Sequence, residues 1–227
     1  MKFSPSTKLA ILSFGGVYLA LAVVFGSLFV LRSEQKMIER LDEFGTTFFR
    51  EPFAVNDFEL TDQYSNTFTL EDMKDRWSIV FFGFTSCPDI CPLTMAELGR
   101  FAGLWVEEDL GSLPQVIMST VNPVIDGSEE MKEYLSKYNS DFLGLTGKPE
   151  ALEKFAGNFF VGFSKSSSDN ESETEQLHAG HNPVKGGPID HSSHLSIVDP
   201  EGKFVAAMRP PHRSKDLVKV LKIVTGK

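Results

Sequence analysis

Only two of the 227 residues are cysteine, Cys87 and Cys91. So sparse a supply excludes a disulfide scaffold, and one bridge closing so short a loop would hardly constrain the unfolded chain. Stability therefore does not account for the pair. Basic residues are scarce as well, with 22 Lys plus Arg against 31 Asp plus Glu and a net charge of −9. Such a surface offers nothing to a phosphate backbone, so no nucleic-acid partner is expected. Charge is missing altogether from Leu9 to Leu31, a run of 23 residues between Lys8 and Arg32.

As a helix that run can cross a hydrocarbon core of about 30 Å. It is longer than the apolar part of a cleaved secretory signal, about 7 to 15 residues, and Gly26-Ser27 is followed by Leu28-Phe29-Val30-Leu31 where a cleaved signal would turn polar. The expected organisation is a cytoplasmic leader over 1–8, a transmembrane anchor over 9–31, a juxtamembrane tether over 32–49 and one domain over 50–227. Lys and Arg are nearly balanced across the span. Orientation rests on the short basic leader, Lys2 and Lys8, and on the tendency of a single N-terminal span to leave its tail inside. The domain is thus expected on the non-cytoplasmic side, with the membrane as a partner through the helix.

Within the domain, Trp77 to Phe84 is a continuous apolar run of the length of a strand buried on both faces. It leads through Thr85-Ser86-Cys87-Pro88-Asp89-Ile90-Cys91-Pro92 into a helical pattern carrying Leu93, Ala96, Leu98, Phe101, Ala102 and Trp105. Strands are expected at Val116–Val121 and Phe142–Leu145, with helices over Ser128–Tyr138 and from Pro149 to about Phe160. Two short edge strands precede them, Phe53 to Leu60 and Thr67 to Leu70. A hairpin of Leu195–Val198 and Phe204–Met208 and a helix over Ser214–Val224 follow. Periodicity stops between Ser164 and Pro188, a loop of a length that is usually functional. Alternating β-α units closed by a hairpin and a helix predict an α/β thioredoxin-like fold, a central mixed sheet with helices on both faces.

The cysteines sit four residues apart on the strand-to-helix loop. With Cys87 at the helix mouth and Cys91 one turn in, both sulfurs are expected on one face, in range of a disulfide or of one metal ion. The first turn is expected to lower their pKa, and Pro88 to open the helix. Metal binding, thiol-disulfide exchange and an incidental pair all remain open on this evidence. Two thiolates prefer soft ions, Cu(I) or Zn(II), and Cu(I) is satisfied by two sulfurs and one imidazole in a trigonal site. Of five histidines, His191 stands just before the late strand, where a thioredoxin-like sheet brings its loop to face the cysteines. It is the candidate third ligand. His194 is expected at the start of that strand, near the groups behind the ligands. His178 and His181 have chelating spacing in the unpatterned loop, and His212 in Arg209-Pro210-Pro211-His212-Arg213 reads as ordinary surface.

The run Phe82-Gly83-Phe84-Thr85-Ser86-Cys87-Pro88-Asp89-Ile90-Cys91-Pro92, with Asp190-His191-Ser192 and Asp199-Pro200-Glu201-Gly202, resembles the Sco/SenC family of copper-binding proteins. The similarity also takes in Phe58-Glu59-Leu60-Thr61-Asp62-Gln63 and runs over about residues 50 to 225. It implies a thioredoxin-like domain on a single membrane anchor, in the inner membrane facing the bacterial periplasm or in the mitochondrial inner membrane facing the intermembrane space. It also implies one copper, Cu(I) or Cu(II), held by Cys87, Cys91 and His191. The role implied is assembly of the dinuclear copper centre of cytochrome c oxidase subunit II, as metallochaperone, as thiol reductant, or both, with a thiol reductase upstream. A membrane-anchored thiol-disulfide oxidoreductase using Cys87 and Cys91 as its redox pair, and a copper or redox sensor module, are the alternatives. The chain departs from the family where Val121-Asn122-Pro123-Val124-Ile125-Asp126 replaces the usual Val-Asp-Pro-Glu-Arg-Asp, where Phe163-Ser164-Lys165 replaces a tyrosine-rich stretch, and at Ser196, which replaces an aromatic.

Overall fold

The computed structural model describes residues 5–162 and 193–226, and within the first helix the side chains of Tyr18 and of residues from Leu21 onward. The chain divides into two units, Met1–Glu43 and Phe44–Lys227. The first is one helix, α1 (Pro5–Asp42), which does not end at Arg32 but runs on through Glu34, Lys36, Glu39 and Arg40. Among the described residues no helix is long and apolar enough to cross a membrane. This corrects the expected transmembrane anchor over 9–31. The membrane as partner and the single-pass inner-membrane placement facing the periplasm or intermembrane space fall with it.

The second unit is built on eight strands, β1 (Thr46–Ala54), β2 (Glu59–Asp62), β3 (Thr67–Thr69), β4 (Ser78–Gly83), β5 (Gln115–Thr120), β6 (Leu143–Thr146), β7 (Leu195–Val198) and β8 (Lys203–Met208). Its helices are α2 (Ile90–Glu107), α3 (Ser128–Ser136), α4 (Pro149–Gly157) and α5 (Ser214–Thr225). The strands form one open mixed sheet in the order β1-β8-β7-β4-β5-β6-β2-β3. β4, β5 and β6 are parallel, as strand-helix-strand units require, and all other pairings are antiparallel. Such a sheet is consistent with the thioredoxin-like fold. The segment expected to be a tether is in part β1, whose partner β8 lies some 150 residues downstream.

β4 is buried at every position, and its alternation divides the core. Phe82 points toward α4, 5.8 Å from the Phe155 ring and 5.5 Å from that of Phe159, and Phe159 meets Phe204 of β8 at 5.3 Å. Phe81 and Gly83 face the opposite way, toward α2, which packs against α5 and buries Cys91, Met95, Leu98, Phe101 and Trp105. Helices therefore cover both faces, and the ends of β4 and β5 are held side by side. The loops that leave those two ends carry the chemistry.

Candidate functional site

The loop after β4 begins with Phe84 and ends at Ile90, the first residue of α2. Pro88 does not open the helix as expected; the N-cap is Asp89, and the earliest backbone bond of α2 is Leu93 N–H to Asp89 carbonyl at 3.5 Å. Pro92 is the proline inside the first turn, where an N–H would have had no helical acceptor. Cys87 therefore lies outside the helix rather than at its mouth. Its amide donates to the Phe84 carbonyl at 3.2 Å, a tight turn that folds the loop back over α2. The two thiols are near enough all the same for Cys87 to influence the ionisation of Cys91.

Both cysteines are free, Cys87 half-buried and Cys91 fully buried. Burial pushes the Cys91 thiol up to about 12, and the neighbouring Cys87 and Asp126 add to the rise, while a hydrogen bond from the Phe84 backbone amide opposes it. The expected lowering by the helix start is thus overturned at Cys91, because removing a thiolate from water costs more than the first turn returns. Space for that sulfur comes from Gly83, where an added Cβ would stand 2.9 Å from Cys91 Sγ and 2.8 Å from Phe81 Cε1. Tyr134 on α3 lies in the same neighbourhood. Burial raises its phenol above the ordinary range, Tyr138 adds to this, and the two thiols are near enough to contribute.

Asp126, in the loop after β5, is fully buried and holds the cysteine loop from below. It accepts the Thr85 N–H at 3.0 Å, the Thr85 hydroxyl, and the Thr120 hydroxyl at 2.6 Å. Thr120 Oγ1 in turn accepts the Asn122 N–H at 2.9 Å, and the Val121 N–H donates to the Gly83 carbonyl at 2.9 Å. The sequence reading missed this role. One acidic residue after Ile125 gives no local sign that it will be buried.

His191, the candidate third ligand, lies outside the described residues, as do His178, His181 and the Ser164–Pro188 loop. Among the described residues, no group of three or more His, Cys, Asp and Glu side chains is arranged to hold a metal ion. Two histidines secure the segment that begins at Ser193. His212 is not surface as expected but only 5 % exposed, with Nε2 2.8 Å from the Ser193 carbonyl oxygen. His194, just before β7, stacks on Phe204 at 6.2 Å, and its Nε2 is buried without a hydrogen-bond partner among the described residues. Burial lowers the pKa of both imidazoles, and the nearby His194 further lowers that of His212.

The two thiols suit a soft cation. Two neighbouring sulfurs, one of them costly to ionise alone, are soft donors that a soft cation would bind in place of their protons.

The SCO1/SenC family matches residues 50–226. A relative from Stutzerimonas stutzeri is 35 % identical over 168 residues, 74 % of this chain and 75 % of its own length. The copper-bound structure of yeast Sco1 is 30 % identical with a TM-score of 0.61, covering 78 % of this chain and 91 % of its own. The copper-bound ScoI of Arabidopsis thaliana is 25 % identical with a TM-score of 0.63, covering 77 % of this chain and all of its own. A family match over more than three quarters of the residues, and solved relatives that share the sheet, establish that the chain belongs to the SCO1/SenC family.

Proposed function

We propose that this protein is a copper metallochaperone whose cargo is one Cu(I), held by Cys87 and Cys91 with His191 as the third ligand. The observation that carries the reading is the contrast between the two thiols. Cys87 is half-exposed, whereas Cys91 is buried with its pKa pushed up to about 12. A buried thiol of that kind is a poor free thiolate and so a poor partner in rapid disulfide exchange. Its anion becomes favourable when a cation neutralises it in place. Binding releases the thiol protons and should weaken as pH falls.

Delivery follows from the same contrast. A thiolate of the recipient bonds to the metal on the Cys87 side and the Cys87 bond breaks; a second recipient ligand then replaces Cys91, the His191 bond opens, and each released cysteine sulfur takes back a proton. No electron moves and no unfolding is needed. A recipient that binds copper through cysteines, such as the dinuclear copper site of cytochrome c oxidase subunit II, fits this exchange. The copper-bound relatives support copper as the cargo.

The second reading, thiol-disulfide exchange, is favoured by the closeness of the two free thiols, with Cys87 near enough to influence the ionisation of Cys91. In it Cys87 attacks a substrate disulfide, Cys91 displaces the product thiol, and the resulting Cys87–Cys91 disulfide is reduced by a separate dithiol donor. Anaerobic titration of the full reduced chain separates the two. The copper reading expects one tight Cu(I), lost in Cys87→Ser and Cys91→Ser and weakened in His191→Ala. Absence of tight Cu(I) together with fast reduction of insulin disulfides would reverse the order.

A further inference from the structure

Asp126 is an unusual residue to find at the junction of three strands. Its carboxylate has no basic partner in the bonds that hold it; both oxygens are taken by Thr85 and Thr120. Its backbone is fixed too, with its N–H donating to Asn122 carbonyl at 3.0 Å and its carbonyl accepting the Thr146 hydroxyl at 2.7 Å. A buried carboxylate costs several kcal/mol unless neighbouring donors satisfy it. Here three donors converge, and two of them belong to one residue, Thr85, two positions before Cys87.

A purely structural role would be to tie the ends of β4, β5 and β6 together. For that, the Thr120 and Thr146 bonds, which reach β5 and β6, and the Val121 N–H to Gly83 carbonyl bond, which reaches β4, would suffice. The double grip on Thr85 adds something else, because it fixes backbone and side chain of the residue from which the cysteine loop departs. Cys87 then hangs from that fixed point by its own amide bond to Phe84. The Cys91 end is fixed independently by α2 and by the pocket over Gly83.

We propose that Asp126 is a positioning residue for the thiol pair, setting the distance from Cys87 to Cys91 through its clamp on Thr85. The inference rests on the proposed use of these two sulfurs as a pair. With the clamp in place the loop meets a cation or a disulfide partner already arranged, so little ordering entropy is lost on binding. Without it, Cys87 must be ordered each time.

The test uses the full chain with Thr85→Val, which loses the hydroxyl but not the amide bond, Thr85→Ser, which keeps both, and Asp126→Ala. Two readouts are taken on each variant that unfolds cooperatively. One is Cu(I) affinity against a chromophoric chelator, and the other is the metal-free thiol-disulfide equilibrium with glutathione. Thr85→Val is expected to change either constant by about tenfold and Asp126→Ala by more, with Thr85→Ser within threefold of the parent. A purely structural residue would lower the unfolding midpoint and leave both constants unmoved. If folded Thr85→Val and folded Asp126→Ala match the parent within twofold in both readouts, the assignment is overturned. Should the parent bind no Cu(I), the copper reading fails, while the glutathione equilibrium still decides on Asp126.

Discussion

Replacing Gly83 with alanine tests how closely the sheet approaches the thiol site. Gly83 ends β4 opposite Thr120 of β5, and an ideal Cβ there would meet Phe81 Cε1 at 2.8 Å, Cys91 Sγ at 2.9 Å and Met118 Cε at 3.3 Å. Two of these contacts are closer than real Cβ atoms come. Phe81, Cys91 and Met118 are all fully buried, so none can swing into solvent. Overpacking of this kind costs about 1–3 kcal/mol. The lower entropy of the unfolded alanine chain returns about 0.4–1 kcal/mol. The net expectation is a loss of about 1–2 kcal/mol, which for a domain of this size lowers Tm by roughly 2–8 °C. The added Cβ stands 2.9 Å from Cys91 Sγ, so the sulfur must shift and Cu(I) affinity should fall at least tenfold in the same variant. Urea unfolding and a Cu(I) competition titration read the two effects separately. Gly103→Ala on α2 is the control, since nothing lies within 4 Å of its added Cβ, and it should stabilise by about 0.5–1 kcal/mol. A Gly83→Ala protein as stable as the parent and equal to it in Cu(I) affinity would refute the packing argument.

Two further outcomes follow from the same geometry. Iodoacetamide should modify Cys87 in the native reduced protein and leave Cys91 intact, and peptide mapping by mass spectrometry would expose the error if Cys91 reacted as fast. His194 and His212 are held below their ordinary pKa of 6.5 by burial, so the unfolded chain binds protons that the folded chain refuses. Stability is then complete above about pH 6.5 and is lost as pH falls below it, by at most about 1.4 kcal/mol per pH unit for each imidazole. Urea titrations of the parent and His212→Gln at pH 7.5 and 5.5 should show a smaller acid loss in the variant; equal losses would mean that His212 does not contribute.

The elements nearest the thiols were the most legible in the sequence. The unbroken apolar run before Phe84 could only be a central strand, and the spacing of Leu98, Phe101, Ala102 and Trp105 could only be one face of a helix. What sequence could not show was set by distant partners. β1 follows the pattern of its pairing with β8, not any local signal. His212 is flanked by prolines and arginines that suggest solvent, yet its ring closes over Ser193 because β8 and α5 bring it there. Asp126 looks like a loop acid until Thr85 and Thr120 converge on it. At the N-terminus the uncharged run suggested an element bounded by Lys8 and Arg32, whereas the helix takes no notice of Arg32 and continues to Asp42.

X-ray absorption at the copper edge of the Cu(I)-loaded full chain asks most directly whether Cys87, Cys91 and His191 share one ion. The parent should give two sulfur scatterers and one nitrogen, Cys91→Ser should lose a sulfur, and His191→Ala should lose the nitrogen. A parent spectrum without two sulfurs, or one that is unchanged in Cys91→Ser, would contradict the account.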